Sequence, residues 1–240
     1  PSVTIYKRII EELEAEAIYL PGTSLSDGIA YDYAQKMHYI RPEHQFSADI
    51  IAAARIIAKR YQGNKGHIRN LENLALPIFD KMKKISGLGE RERLLLQIAV
   101  ILHGCGKYIN LSDAAQCSYS IIMATEIIGL STAERRIIAN VVKYNTVEFT
   151  LEDVLEQQLR QEDYLVIVRL VAILRVANAL DRSHKQKFEQ VRLTLKDAQL
   201  EIVVDTSEDI TLEKGLFPPK ADYFEEVFHV RPLIRKKRNL

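Results

Sequence analysis

The sequence predicts a mainly α protein, a helical bundle closed by a small α+β tail, and three observations predict it. From about residue 43 to residue 187 apolar side chains recur at helical spacing almost without interruption. Ile50, Ala54, Ile57 and Ala58 form one stripe, Leu95, Ile98, Ala99 and Leu102 a second, and Leu165, Val168 and Ala172 a third. Beyond residue 190 the period drops to two, as Val191, Leu193 and Leu195 and then Leu200, Ile202 and Val204 alternate with polar residues. A chain of 240 residues, 47% hydrophobic and 27% charged, is long enough for one large core or two modest ones.

Taken in order, Ile5, Ile9 and Leu13 place a helix over residues 3–14. Ala17-Ile18-Tyr19-Leu20 then reads as a short strand ended by Pro21-Gly22, and Ser24-Leu25-Ser26-Asp27-Gly28 caps a helix that runs to about residue 37. A helix, a strand and a helix bury no core alone, and the strand has no sheet to join at this end of the chain, so residues 1–37 are expected to belong to a neighbouring module. The bundle, residues 38–187, should hold about six to eight helices, punctuated at Gly87-Leu88-Gly89 and at Ile109-Asn110-Leu111-Ser112-Asp113. In the tail, residues 188–240, Lys196-Asp197-Ala198 turns a hairpin. After Pro218-Pro219, residues 221–228 read as helix and His229 to Arg235 as an extended segment that Pro232 confines to an edge or irregular strand. The run Arg235-Lys236-Lys237-Arg238 reads as a solvated end.

Thirty-three Lys and Arg against thirty-two Asp and Glu leave a formal charge of +1, so no global field recruits nucleic acid or a membrane surface, and any polyanion site must be a local patch. Cys105 and Cys117 are too few for a disulfide framework and lack the spacing of a four-cysteine zinc site. They fit reduced thiols in a cytoplasmic protein. Cys105 reads as a small apolar core residue rather than a nucleophile.

Chemistry is signalled by His67, by His103-Gly104 at the end of an apolar helix, and by Asp181 at the end of the helix over 163–180. Imidazoles and a carboxylate at the ends of three helices suit a divalent metal, with positions left open for water and a phosphate substrate. Gly104 stands where a fourth, acidic ligand would be, which removes a hard oxygen and a compensating negative charge. Three ligands still suffice for zinc, but not for a firm magnesium or manganese centre. The same residues equally fit two histidines satisfied by polar neighbours and an aspartate that caps its helix or pairs with Arg175 or Arg182. Lys59, Arg60, Lys65 and Arg69 flank the approach to His67, and Arg175 and Arg182 lie seven apart with Asn178 between them. These six are the candidate phosphate-binding residues, since Arg and Lys grip phosphate oxygens through charge-assisted bonds.

Four stretches, Leu25 to Ile29, Gly66 to Asp80, Leu94 to Ile109 and Leu174 to Ser183, together with the hairpin tail, resemble the C-terminal part of the exopolyphosphatase and guanosine pentaphosphate phosphatase family. The resemblance implies an HD-like helical domain and makes residues 1–37 the end of an actin-like phosphatase module whose catalytic lobes are absent from this sequence. Three positions depart from the family's pattern: Gly104 for an acidic residue, Cys117 for a histidine, and Lys143-Tyr144-Asn145 for Arg-Tyr-His. They argue for a domain that holds ligand and dimer partner rather than one that hydrolyses by itself. The implied partners are polyphosphate or a phosphorylated nucleotide and a second copy of the chain, with no nucleic acid and no membrane. Magnesium or manganese is expected for the parent phosphatase and weak or absent here. The alternatives are an HD-type metal-dependent phosphohydrolase with a degraded site, and a pure interaction module.

Overall fold

The structure, a computed structural model, describes residues 2–17, 19, 22–37, 39–40, 46–188 and 191–237. It divides into two compact units, residues 1–45 and 46–240.

In the first unit, α1 (Ser2–Leu13) carries Ile5, Ile9 and Leu13 on one exposed face, and α2 spans Leu25–Lys36. A reciprocal cap opens α2: the Ser24 N–H donates to Asp27 Oδ2 at 2.8 Å while Ser24 Oγ accepts from the Asp27 N–H at 3.3 Å. The strand expected at residues 17–20 rests on Ile18 and Leu20, which lie outside the described residues.

In the second unit, among the described residues, the bundle comprises α3 (Phe46–Arg60), α4 (Lys65–Ser86), α5 (Glu90–Leu102), a 3-10 turn (Cys105–Tyr108), α6 (Ala114–Ala124), α7 (Thr132–Tyr144), α8 (Leu151–Glu156) and α9 (Gln161–Leu180). The first two apolar stripes are buried as the periodicity demands. The third is not: Leu165 is 41% exposed, whereas Leu170 to Leu174, Val176 and Ala177 are wholly buried. This helix is central, packed by α4, α5, α7 and a helix of the tail, Pro218–Phe228, so it has no single inward face and its later turns are apolar nearly all round.

The tail holds an antiparallel hairpin, β1 (Val191–Lys196) and β2 (Gln199–Val204), with Lys196 opposite Gln199. Asp197 and Ala198 both take positive φ, the left-handed pair that a two-residue hairpin turn requires. After α10 (Thr211–Leu216) and α11 (Pro218–Phe228), β3 (Arg231–Lys236) pairs in parallel with β2, with Pro232 on that edge strand as expected. Leu200, Ile202, Val204, Phe224 and Phe188 close this sheet into the bundle's core. A buried ion pair pins the two parts together, with Lys187 Nζ 3.1 Å from an Oε2 of the fully buried Glu213 and donating to the Asp209 carbonyl at 2.6 Å. The basic end is solvated and paired locally, Arg235 to Glu201 and Lys237 to Asp205; Arg238 lies outside the described residues. No helix among the described residues is long and apolar enough to cross a membrane.

Candidate functional site

Three helix ends bring His67, His103 and Asp181 together. Asn64 caps α4, its Oδ1 accepting the His67 backbone N–H at 3.0 Å, which fixes His67 on the first turn. His103 is the residue that ends α5, and Asp181 ends α9. His67 Nδ1 donates to Asp181 Oδ2 at 2.6 Å, with both residues almost fully buried, and Asp181 Oδ1 accepts the Gln186 backbone N–H at 2.9 Å. The His103 ring meets His67 edge-on at 5.0 Å and its Nδ1 donates to the Val100 carbonyl at 2.7 Å. Asp181 therefore orients a histidine with one oxygen and holds the following loop with the other.

Sequence reasoning missed two members of this group. His184 stacks on His67 with centroids 3.7 Å apart and planes 9° apart, from a backbone at φ 56 that non-glycine residues seldom adopt. Its only sequence signal is its place three residues after Asp181. Lys107, one turn beyond His103, lines the same cavity of about 270 Å³, with Tyr61, Tyr108 and the backbone around Gly63 and Asn64.

Each ring that donates from Nδ1 to an oxygen presents, when neutral, a bare Nε2 lone pair. Nε2 of His67 and Nε2 of His103 are both buried with no hydrogen-bond partner among the described residues. Each such acceptor costs about 1–3 kcal/mol. Burial, the neighbouring His67 and Lys107 push the His103 imidazole down to about 3, so it is neutral at pH 7. Burial first, then His67 and Lys107, lowers His184 as well.

The donor set does not fit a resident divalent metal. Among the described residues the buried, unpartnered imidazole nitrogens at the cavity are Nε2 of His67 and of His103, Asp181 is engaged elsewhere, and Gly104 supplies nothing, although a Cβ there would meet no atom within 4 Å. Catalytic zinc sites use three protein ligands, and among the described residues no three His, Cys, Asp or Glu side chains are grouped to hold a metal ion. Cys105 is buried and its thiol is pushed up to about 11 by that burial, which makes it inert.

Five of the six candidate cations fall into two places. Lys59, Lys65 and Arg69 line a cavity of about 510 Å³ floored by Ile56, Ile68 and Ile101; Arg55 lines it too, but its charge is met by Glu72 through bonds of 2.8 and 2.9 Å. The other three form no ion pair with a described carboxylate. Arg60 is exposed and does not line that cavity.

Arg175 and Arg182 line a second cleft of about 350 Å³ with Asn145, Asn178 and Lys220. Arg175 is held by carbonyls at the C-terminal end of α7 and just beyond, donating to Tyr144 O at 2.9 Å and to Val147 O at 2.6 Å, and it stacks over Tyr223 at 4.3 Å. Its charge is thus fixed in place without a carboxylate, favoured by the negative end of that helix. Lys220, from α11, was not foreseen; burial, then Arg175 and Arg182, holds its ammonium below the usual range. Asn145 is buried with its Oδ1 unpartnered.

The family profile described as Ppx/GppA phosphatase, domain III, matches residues 51–217, from within α3 through the rest of the bundle and into the tail as far as α10. The chain belongs to the Ppx/GppA phosphatase family. All nine residues singled out from sequence fall within that domain III match. Similar curated proteins include the guanosine-5'-triphosphate,3'-diphosphate pyrophosphatases of Aeromonas hydrophila, 28% identical over 170 residues, and of Aeromonas salmonicida, 26% identical over 170 residues. Each match covers 70% of this chain and 32% of the relative. That of Photobacterium profundum is 22% identical over 141 residues. The chain thus spans about a third of the length of the curated relatives it matches.

Proposed function

We propose that this chain is the polyanion-holding domain of an exopolyphosphatase-like phosphatase, binding polyphosphate or a phosphorylated nucleotide and contributing contacts to a homodimer. In this reading the bundle is HD-like, the hydrolytic lobes lie outside residues 38–240, and residues 1–37 are the end of the actin-like module that carries them. The observation that carries the reading is the pair of cationic clefts. In a chain of net charge +1, Lys59, Lys65 and Arg69 in one and Arg175, Arg182 and Lys220 in the other lack carboxylate partners among the described residues. Cations left unpaired and held by carbonyls or an aromatic face are disposed to receive an anion, with arginine taking phosphate oxygens in pairs. The donor set at His67 and His103 supports binding rather than metal-dependent hydrolysis by this domain.

The test is calorimetric titration of the chain with polyphosphate of defined length. Lys65→Ala with Arg69→Ala, and Arg182→Ala with Lys220→Ala, should each weaken binding at least tenfold at low salt. Binding unchanged in both double variants would end this reading.

A further inference from the structure

We propose that the cavity between the α4 N-terminus and the 3-10 turn is a binding site for protonated inorganic phosphate, distinct from the two cationic clefts. The histidine tautomers lead to it. The Nδ1 hydrogens of His67 and His103 are committed to Asp181 and to the Val100 carbonyl, so each ring, when neutral, offers only an acceptor at Nε2, and burial keeps His103 neutral at pH 7. Both Nε2 atoms are buried and unpartnered among the described residues, and His67 is 2% exposed. An occupant must therefore donate hydrogen bonds.

It must also be an anion. Lys107 lines the cavity and pairs with no described carboxylate; burial and Arg182 hold its ammonium below the usual range. The 22-residue helix α4 begins at this cavity, with Gly63 and Asn64 in its wall and its positive end turned there. The nearby carboxylate, Asp181, has both oxygens engaged. The charged and titratable groups around the ligand are thus His67, His103, His184, Lys107, Arg182 and Asp181, with the phenols of Tyr61 and Tyr108 in the wall.

A divalent cation would satisfy the two lone pairs but would meet Lys107 and a helix N-terminus, in the field of Arg182. Sulfate, fully ionised at neutral pH, satisfies the charges but has no proton for the lone pairs. Dihydrogen phosphate does both: its two P–OH groups donate to His67 Nε2 and His103 Nε2, and its charged oxygens face Lys107 and α4. The site selects a phosphate that still carries protons, which inorganic phosphate does and an internal phosphate of a long chain does not. Phosphate binding here is independent of polyphosphate binding in the cationic clefts.

The experiment is isothermal titration of the full chain with sodium phosphate and, separately, sodium sulfate, from pH 6 to 8.5 in an amine buffer. We expect one phosphate per chain, sulfate at least tenfold weaker, and phosphate affinity falling about tenfold per pH unit once the ligand's second proton dissociates. Lys107→Gln should weaken phosphate at least fivefold, with a circular dichroism spectrum matching the parent's. His103→Ala should abolish the preference over sulfate, with a circular dichroism spectrum matching the parent's. Equal affinity for sulfate and phosphate, no phosphate binding, or stoichiometric zinc binding lost in His103→Ala would each overturn the proposal. A sulfate affinity that rises in step with phosphate at low pH would also overturn it, since that outcome assigns the donors to protonated histidines.

Discussion

Replacing Gly106 with alanine tests how the histidine cavity is held in place. Gly106 lies in the 3-10 turn that follows His103, and its N–H donates to Ser118 Oγ of α6 at 2.9 Å. A Cβ on Gly106 would stand 2.1 Å from the Ala114 carbonyl oxygen, 2.4 Å from the Ser118 nitrogen and 2.6 Å from Ser118 Oγ. Two of these atoms are backbone, so the turn itself must lift away from α6. Losing the hydrogen bond costs about 1 kcal/mol and overpacking a further 1–3 kcal/mol or so, about 2–4 kcal/mol together. For a domain of this size that lowers the melting temperature by roughly 4–16 °C. Gly104→Ala, two residues earlier, is the control: its Cβ meets nothing within 4 Å, so stability should stay within about 0.5 kcal/mol of the parent. Thermal and urea unfolding of both variants make the comparison. A Gly106→Ala protein as stable as the parent, or a Gly104→Ala protein as damaged as Gly106→Ala, would refute the close approach of turn and helix.

Three further outcomes are expected. Gly104→Asp places a carboxylate in open space beside two bare imidazole nitrogens, so about one zinc per chain should be retained on elemental analysis where the parent retains none. His103, pushed down to about 3, is a folded-state base weaker than its unfolded form near 6.5, so the unfolded chain takes up the proton as pH falls. Its contribution is present in full above pH 6.5 and falls by about 2 kcal/mol on going to pH 5, a difference that urea unfolding in phosphate-free buffer should show in the parent and not in His103→Gln. Glu213→Ala leaves the Lys187 ammonium buried against a single carbonyl, and chemical unfolding should report a loss of about 3 kcal/mol.

Where one local period governs an element, the fold was legible in the sequence. The hairpin follows from the alternation of Val191 to Leu195 and Leu200 to Val204, and α3 and α5 from stripes that each face one core. Periodicity failed at α9, because a helix surrounded by four others has no dry and wet sides to alternate. The helix-end positions of His67, His103 and Asp181 suggested their convergence and the family resemblance strengthened it, since three residues spread over more than a hundred positions make no local pattern. What each does was not readable. The role of Asp181 depends on which nitrogen of His67 it meets, and that of His184 on a left-handed backbone that no neighbouring glycine announces. Lys220 joins Arg175 and Arg182 from a helix in the tail, a contact made by tertiary packing alone. The requirement for Gly106 likewise arises from a helix that begins eight residues later.

Lysine-acetylation footprinting of the chain with and without polyphosphate tests the central claim most directly, because it maps where a bound polyanion lies. The account predicts protection at Lys59, Lys65 and Lys220, which line the two cationic clefts, and unchanged labelling at Lys196 and Lys237 in the tail. Protection confined to Lys196 and Lys237, or spread evenly over every exposed lysine, would contradict it.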